Sequence, residues 1–348
     1  MIKLRSLQLA EPDLKIGQTE SLSFITGNFP MKKSTQRLYE KVFANESILH
    51  RRFSLDKLED SLEEDPDKIS LRFEEKAVEL SARSLQAALR ELEMDPRELD
   101  YLAVSTCTGY LCPGLSTRLI EACGLRKDVR CLDVVGMGCG SAVPALEQAH
   151  NFIAAHPEKT AASVSTEICS AAMYNGDSPD LVISNAIFAD GSAAAVLGNS
   201  KSAGSPDFHT FSSLTYPEWQ ESLRFRTEKG RLRNVLAKEV PEQVREAVMA
   251  LIEKLLAEQG LKQDDIRHWI FHAGGEKVLD AVQGSLKLSD AQMRRSRDVL
   301  KNHGNLSSPT VLYGLKNLLL SDEAAPGDWG ILTSYGAGFS AHACLVKF

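Results

Sequence analysis

The stretch Leu132-Asp133-Val134-Val135-Gly136-Met137-Gly138-Cys139-Gly140-Ser141-Ala142 passes from a short apolar run, through three glycines, into small residues compatible with a helix. Residues 132–135 read as a strand, Gly136 to Gly140 as a tight turn, and Ala142–Ala155 as a helix. Working outward, 102–105 reads as a buried strand followed by a helix over 116–123, and 161–164 and 193–197 are again strand-like. This alternation predicts an α/β fold with buried strands.

The second half repeats the theme. Residues 240–258 form an amphipathic pattern, with Val244, Val248, Leu251 and Leu255 at helical spacing. A short strand over 269–271 ends in His272-Ala273-Gly274-Gly275, and 330–333 and 342–346 read as closing strands. Gly138-Cys139-Gly140-Ser141-Ala142 and Gly304-Asn305-Leu306-Ser307-Ser308 each lead into a helix, with Leu146 and Leu312 in register. Both halves then reach a small-residue turn, Asp190-Gly191-Ser192-Ala193 and Tyr335-Gly336-Ala337-Gly338. The common order suggests two copies of one α/β unit: 1–205, carrying the cysteine, and 206–348, carrying the histidine and asparagine, linked by the small residues of 200–206.

Composition agrees. At 348 residues the chain exceeds the roughly 250–300 at which one hydrophobic core stops growing, so two core units are expected. A net charge of −7 gives nucleic acid no footprint, and Arg294, Arg295 and Arg297 read as a solvated helix face. No apolar run reaches the roughly 18 residues that a membrane span needs. The early charges at Lys3, Arg5, Glu11, Asp13 and Lys15 exclude a secretory signal there. Seven scattered cysteines, an odd number, point to reduced thiols and a cytoplasmic setting.

Three residues stand out for chemistry. Cys139 lies where a strand turns into a helix, and a helix N-terminus favours a thiolate. His272 ends a strand and opens into a glycine turn. Asn305 offers two amide donors. Each has an ordinary alternative: a small buried cysteine, a histidine bonded to backbone, and a helix N-cap. Together they form a set in which a thiolate attacks an acyl group while imidazole and amide hold a developing oxyanion.

Other readings fit less well. Gly136 to Ser141 has the outline of a dinucleotide loop, but serine fills the sixth position and the acidic partner is missing. His268 and His272 lack the glutamate of a zinc helix, and Cys107 and Cys112 lack a second pair, so no metal is expected. The order Cys139, His272, Asn305 would suit a papain-like cysteine hydrolase, yet Gly140 stands where that class carries an aromatic residue.

From about residue 35 to 348 the sequence resembles the type III polyketide synthases, the chalcone- and stilbene-synthase-like enzymes of the thiolase fold, in wording closest to bacterial members. The resemblance is carried by Cys107-Thr108-Gly109-Tyr110 leading to Pro113-Gly114, Gly138-Cys139, Phe188-Ala189-Asp190-Gly191, His272 with Gly274-Gly275, Gly304-Asn305 with Ser307-Ser308, and Gly336-Ala337-Gly338. It implies a five-layered αβαβα fold of two duplicated halves. It also implies a homodimer without metal or redox cofactor that uses acyl-CoA and malonyl-CoA.

In such enzymes an acyl group passes from coenzyme A to the cysteine, malonyl-CoA loses CO2, and the enolate extends the chain, which finally cyclises. By resemblance Cys139 is the nucleophile, and His272 and Asn305 hold the thioester oxygens. Phe188 matches a gatekeeper, and Glu167, Cys169 and Ala172 match cavity positions. Gly274, Gly275, Ser307 and Gly336 match the substrate site, and Cys112 matches the residue that reaches into the partner's cavity. Asn234 stands where a second gatekeeper phenylalanine is usual, and Ala273 replaces a proline. Tyr39, Val42 and Glu46 fall where the family grips CoA phosphates, with Lys41, Arg51 and Arg52 nearby, so a carrier-protein thioester is an alternative donor. A 3-oxoacyl-ACP synthase III-like single condensation is the rival within the fold. Starter, number of extensions and ring closure are set by cavity volume and shape.

Overall fold

The computed structural model describes residues 1–200 and 205–348; within the expected linker, 201–204 lie outside the described residues. The strands are β1 (Ile2–Ala10), β2 (Leu14–Gly17), β3 (His50–Phe53), β4 (Tyr101–Ser105), β5 (Arg130–Val134), β6 (Thr160–Glu167), β7 (Gly191–Asn199), β8 (Asp207–Thr215), β9 (Leu223–Glu228), β10 (Arg231–Leu236), β11 (Ile266–Phe271), β12 (Trp329–Gly336) and β13 (Ser340–Lys347). The helices are α1 (Gln18–Asn28), α2 (Lys33–Phe43), α3 (Pro66–Glu91), α4 (Leu115–Cys123), α5 (Ala142–Ala155), α6 (Pro179–Ile187), α7 (Val240–Gln259), α8 (Glu276–Leu286), α9 (Asp290–His303) and α10 (Thr310–Leu319).

Nine strands run in the order β11-β12-β13-β8-β1-β7-β6-β4-β5. The pairing pattern occurs twice. In the first half β4 pairs parallel with β6, then β6–β7 and β7–β1 are antiparallel. In the second half β11 pairs parallel with β12, then β12–β13 and β13–β8 are antiparallel. One bridge between Lys3 and Asp207 joins the two runs edge to edge, a continuity that the local pattern did not announce.

Small residues explain the layering. β6 and β7 read TAASVSTE and GSAAAVLGN and are buried almost throughout, as strands covered on both faces must be. Helix α5 touches β4, β6 and β7 on one side and β12 and β13 on the other. Its Ala142, Ala145 and Ala149 are fully buried and let both sheets approach. Helix α10 joins it in the middle layer, against β11, β12 and β1. Helices α3 and α4 cover the outer face of the first sheet and α7 that of the second, which completes the αβαβα arrangement.

The expected helix at Ala142–Ala155 forms with those limits. The strand expected over 132–135 occupies Arg130–Val134, but at the sheet's edge: it pairs with β4 alone, leaving Leu132 and Val135 exposed. The separate hairpin of β9 and β10 lies across α6 and forms part of the wall of the site.

Candidate active site

Cys139 sits in a 3-10 turn, Gly138–Gly140, between β5 and α5, and is buried. The second half clamps this turn. Ser334 Oγ donates to Gly140 O at 2.9 Å, and Gly336 lies so near that a Cβ would meet Met137 O at 2.3 Å and Gly140 N at 2.4 Å. Gly336 thus packs on the backbone behind the sulfur, while its neighbour Ala337 lines the cavity.

His272 follows the end of β11 and is 1% exposed. Its backbone N–H donates to Thr333 O at 2.8 Å, and its ring meets Tyr335 edge-on at 4.9 Å. The Tyr335 hydroxyl donates to His272 O at 2.9 Å and accepts from Gly274 N at 3.2 Å, fixing the turn. Nδ1 of His272 is buried with no partner among the described residues.

Asn305 is not a helix cap: α10 begins at Thr310, with Pro309 at the cap position. Instead its backbone forms an isolated parallel bridge with Phe188. Its Oδ1 accepts from Ser307 N at 2.8 Å, which makes Nδ2 the donor end, and Nδ2 donates to Gly274 O at 3.2 Å. An amide nitrogen carries two hydrogens, so one is left for a ligand.

Burial dominates the electrostatics. It pushes the Cys139 thiol up to about 12, opposed by the Ser307 hydroxyl and reinforced by the Glu167 charge. It pushes His272 down to about 3. The expected lone thiolate is therefore disfavoured at a 3-10 turn this deep, where desolvation outweighs the helix dipole.

Glu167 is fully buried and is the hub beside the sulfur. It accepts from Cys107 N at 3.0 Å, Thr108 Oγ1 at 2.9 Å, Ser307 Oγ at 3.3 Å and Ser308 Oγ at 2.6 Å. Burial raises its pKa, and these donors, Ser308 foremost, pull the other way. Glu167 thereby ties the 107–108 loop of the first half to the 307–308 loop of the second.

A narrow cavity of about 40 Å³ opens on Cys139. Of the sequence-derived candidates, Cys139, Cys169, Ala172, Phe188, Asn234 and Ser307 line it. Asn305 and Glu167 bond to Ser307 of that lining and Gly274 bonds to Asn305, while His272 is not among the lining residues and precedes the Gly274 turn by two positions. Asn234 Nδ2 donates to Ser184 Oγ at 2.9 Å, pinning the hairpin to α6. Gly275 caps α8, and Cys112 is exposed, away from its own chain's cavity. Among the described residues no cluster of His, Cys, Asp and Glu is able to hold a metal.

Near α2, Tyr39 is a core residue accepting from Asn185 Nδ2 at 3.1 Å, Glu46 and Lys41 are exposed, and Arg51 is fully buried. Arg52 is partly buried against Glu11. Arg51, expected near a grip on CoA phosphates, is buried and cannot reach them, and the contacts of Tyr335 and Ser334 are made by tertiary structure that no local pattern announces. For Cys107 the signal was present in the motif that leads to Pro113-Gly114.

A buried thiol, an imidazole and an amide on one connected framework in a five-layered αβαβα fold define a thiolase-like acyl-transferring enzyme. Residues 8–207 match the family model FAE1/Type III polyketide synthase-like protein, and 210–348 match the chalcone and stilbene synthase C-terminal domain. The chain belongs to the type III polyketide synthase family. It is 31% identical over 325 residues to a 3,5-dihydroxyphenylacetyl-CoA synthase of Streptomyces toyocaensis, covering 90% of this chain and 83% of that one. It is 33% identical over 273 residues to a 1,3,6,8-tetrahydroxynaphthalene synthase of Streptomyces peucetius subsp. caesius, covering 77% and 72%. The crystal structure of the 1,3,6,8-tetrahydroxynaphthalene synthase of Streptomyces coelicolor A3(2) is similar with a TM-score of 0.90 at 26% identity, over 99% of both chains. The protein is thus an acyltransferase that condenses thioester-bound units, in a family that uses CoA thioesters.

Proposed function

We propose that this chain loads an acyl starter from a CoA thioester onto Cys139, extends it with malonyl-CoA, and cyclises the product, with His272 and Asn305 as the oxyanion donors. One observation carries the reading: Ser307, beside the sulfur, is bonded to Asn305, and Asn305 to the Gly274 turn that follows His272. Nucleophile and donors thus share one fixed framework contributed by both halves.

The steps follow from these groups. The Cys139 sulfur attacks the acyl carbonyl while its proton passes to the His272 imidazole, and CoA departs as the thiol after taking that proton back. Malonyl thioester then loses CO2, which places negative charge on its carbonyl oxygen. The free hydrogen of Asn305 Nδ2 and an imidazole N–H stabilise that charge, and low dielectric strengthens both contacts. The enolate carbon attacks the carbonyl carbon of the Cys139 thioester, the carbon–sulfur bond breaks as the new carbon–carbon bond forms, and the freed sulfur takes a proton from water to restore the thiol.

Finer assignments accompany this. The relatives are named for polyhydroxylated aromatic products, which supports closure to a polyhydroxylated ring here. The units 1–205 and 206–348 act as two halves of one catalytic framework. A homodimer is supported by the uncovered edge of β5, where Leu132 and Val135 are exposed; sedimentation of the purified chain as a monomer would remove that assignment. No helix among the described residues is long and apolar enough to cross a membrane, which accords with a cytoplasmic setting. CoA is taken as the donor and a carrier-protein thioester as the competing one.

The test is a panel of acyl-CoA starters with malonyl-CoA, with products identified by mass spectrometry. Cyclised products of several extensions are expected. A single β-ketoacyl product would move the chain to 3-oxoacyl-ACP synthase III-like chemistry. Free acid formed without consumption of malonyl-CoA would point to a cysteine hydrolase.

A further inference from the structure

We propose that Arg51 is a positioning residue for chain extension: its buried side chain locks the end of α6, and through it Asn305 and Phe188, into one rigid unit. The inference rests on the reading of Asn305 as an oxyanion donor.

Arg51 is 1% exposed and forms no ion pair among the described residues. Its hydrogens go to uncharged oxygens: Nε to Gln18 Oε1 at 3.0 Å, and Nη1 to Asn185 O and Phe188 O, both at 2.7 Å. Phe53 and Phe43 flank the guanidinium, with its carbon 5.0 and 5.7 Å from their ring centres. A cation buried without a counter-ion is costly, and burial pushes its pKa down to about 9, with Asp190 opposing.

The local geometry explains why it is kept. The last carbonyls of a helix have no partner within the helix and carry the negative end of its dipole. At the end of α6, four consecutive carbonyls are taken in turn. Asn185 O accepts from Arg51, Ala186 O from Gln18 Nε2 at 3.0 Å, Ile187 O from Asn305 N at 2.8 Å, and Phe188 O from Arg51 again. Ala189 N then donates to Asn305 O at 2.9 Å. Arg51 and Asn305 therefore grip alternate links of the same short segment.

They also touch through Gly304. A Cβ on Gly304 would meet Ile187 O at 2.8 Å and Arg51 Cγ and Cδ at 2.9 and 3.0 Å, and its φ of +74° suits glycine alone. Arg51 holds the backbone carbonyl of Phe188 and not its ring, so the clamp bears on Asn305, whose backbone pairs with that residue.

Arg51 bonds to neither the Cys139 turn nor the His272 turn, and the loading step as proposed uses those two groups and not the Asn305 amide, so loading and extension should separate. In Arg51→Met, acyl loading on Cys139, followed by intact mass, should stay within about twofold, while kcat for malonyl-CoA decarboxylation falls roughly ten- to a hundredfold, with a smaller change in KM. Arg51→Lys, which keeps the charge and one donor, should recover part of the loss. Combined with Asn305→Ala, Arg51→Met should slow decarboxylation by less than about threefold further, because both act through one group. Gly304→Ala attacks the same contact from the other side and should show the same split, which keeps the test decisive if Arg51→Met does not fold. Equal losses of loading and extension, or penalties that multiply in the double variant, would overturn the role of Arg51 while leaving the condensing function standing. A wild-type chain that neither loads nor decarboxylates would overturn the functional reading and this inference with it.

Discussion

Replacing His272 with alanine removes the only proton acceptor proposed for the Cys139 thiol, and the raised pKa of that thiol sets the size of the expected effect. Burial, reinforced by the Glu167 charge and opposed by the Ser307 hydroxyl, pushes that thiol up to about 12 as long as no imidazole takes its proton. At pH 8 a thiol titrating there is ionised to about one part in ten thousand, against about one part in ten for a thiol at the ordinary value near 9. The shift of about three pH units corresponds to roughly 4 kcal/mol opposing the charged form. In the wild type the imidazole shares the proton, so alkylation by iodoacetamide does not need an isolated sulfur anion. In His272→Ala it does. Alkylation of Cys139 at pH 8, read by peptide mapping with glutathione as the internal reference, should fall roughly a thousandfold below that of an ordinary exposed thiol. The sign is fixed by the raised value: the variant's rate should climb about tenfold per pH unit from pH 8 to 11, because the thiolate population grows until the raised pKa is passed. A variant alkylated at the wild-type rate, or a profile that levels off near pH 8, would show that the sulfur ionises without the imidazole.

Three further outcomes follow from the same contacts. Gly336→Ala places a Cβ against Met137 O and Gly140 N, so acyl loading should fall by about tenfold or more and unfolding stability by roughly 1–3 kcal/mol; unchanged loading kinetics would mean that β12 does not set the nucleophile turn. Glu167→Ala strands buried donors at Cys107, Thr108 and Ser308, and urea unfolding should show a loss of roughly 3 kcal/mol or more; a loss near zero would remove Glu167 as the hub. Asn234→Phe breaks the bond to Ser184 and narrows the cavity, so the accepted starters should shrink toward smaller acyl groups; an unchanged product profile would count against Asn234 shaping the passage.

What the sequence revealed was local. The helix Ala142–Ala155 and the strand ends that carry Cys139 and His272 were legible because short Val/Ile/Leu runs and glycine turns encode them directly. The burial of β5 was misjudged, since Leu132 and Val134 look the same whether a strand is central or at an edge; only its lack of a second neighbour exposes it. Asn305 sat where capping chemistry was the natural local reading, yet its backbone pairs with Phe188, a contact made by tertiary structure. Glu167 and Arg51 were the hardest, because charged residues ordinarily face water and their burial depends on donors and carbonyls from distant segments. β1 was hidden for a related reason: Lys3 and Arg5 interrupt its apolar residues, although it joins both runs of the sheet.

Intact-mass measurement of wild type and Cys139→Ala, each mixed with an acyl-CoA starter and then chased with malonyl-CoA, tests the assigned chemistry at its source. The wild type should gain the mass of the acyl group and lose it as product appears, while the alanine variant, folded alike, should gain nothing. An acyl adduct of the same mass on the variant would place the nucleophile elsewhere and remove the basis for the roles given to His272 and Asn305.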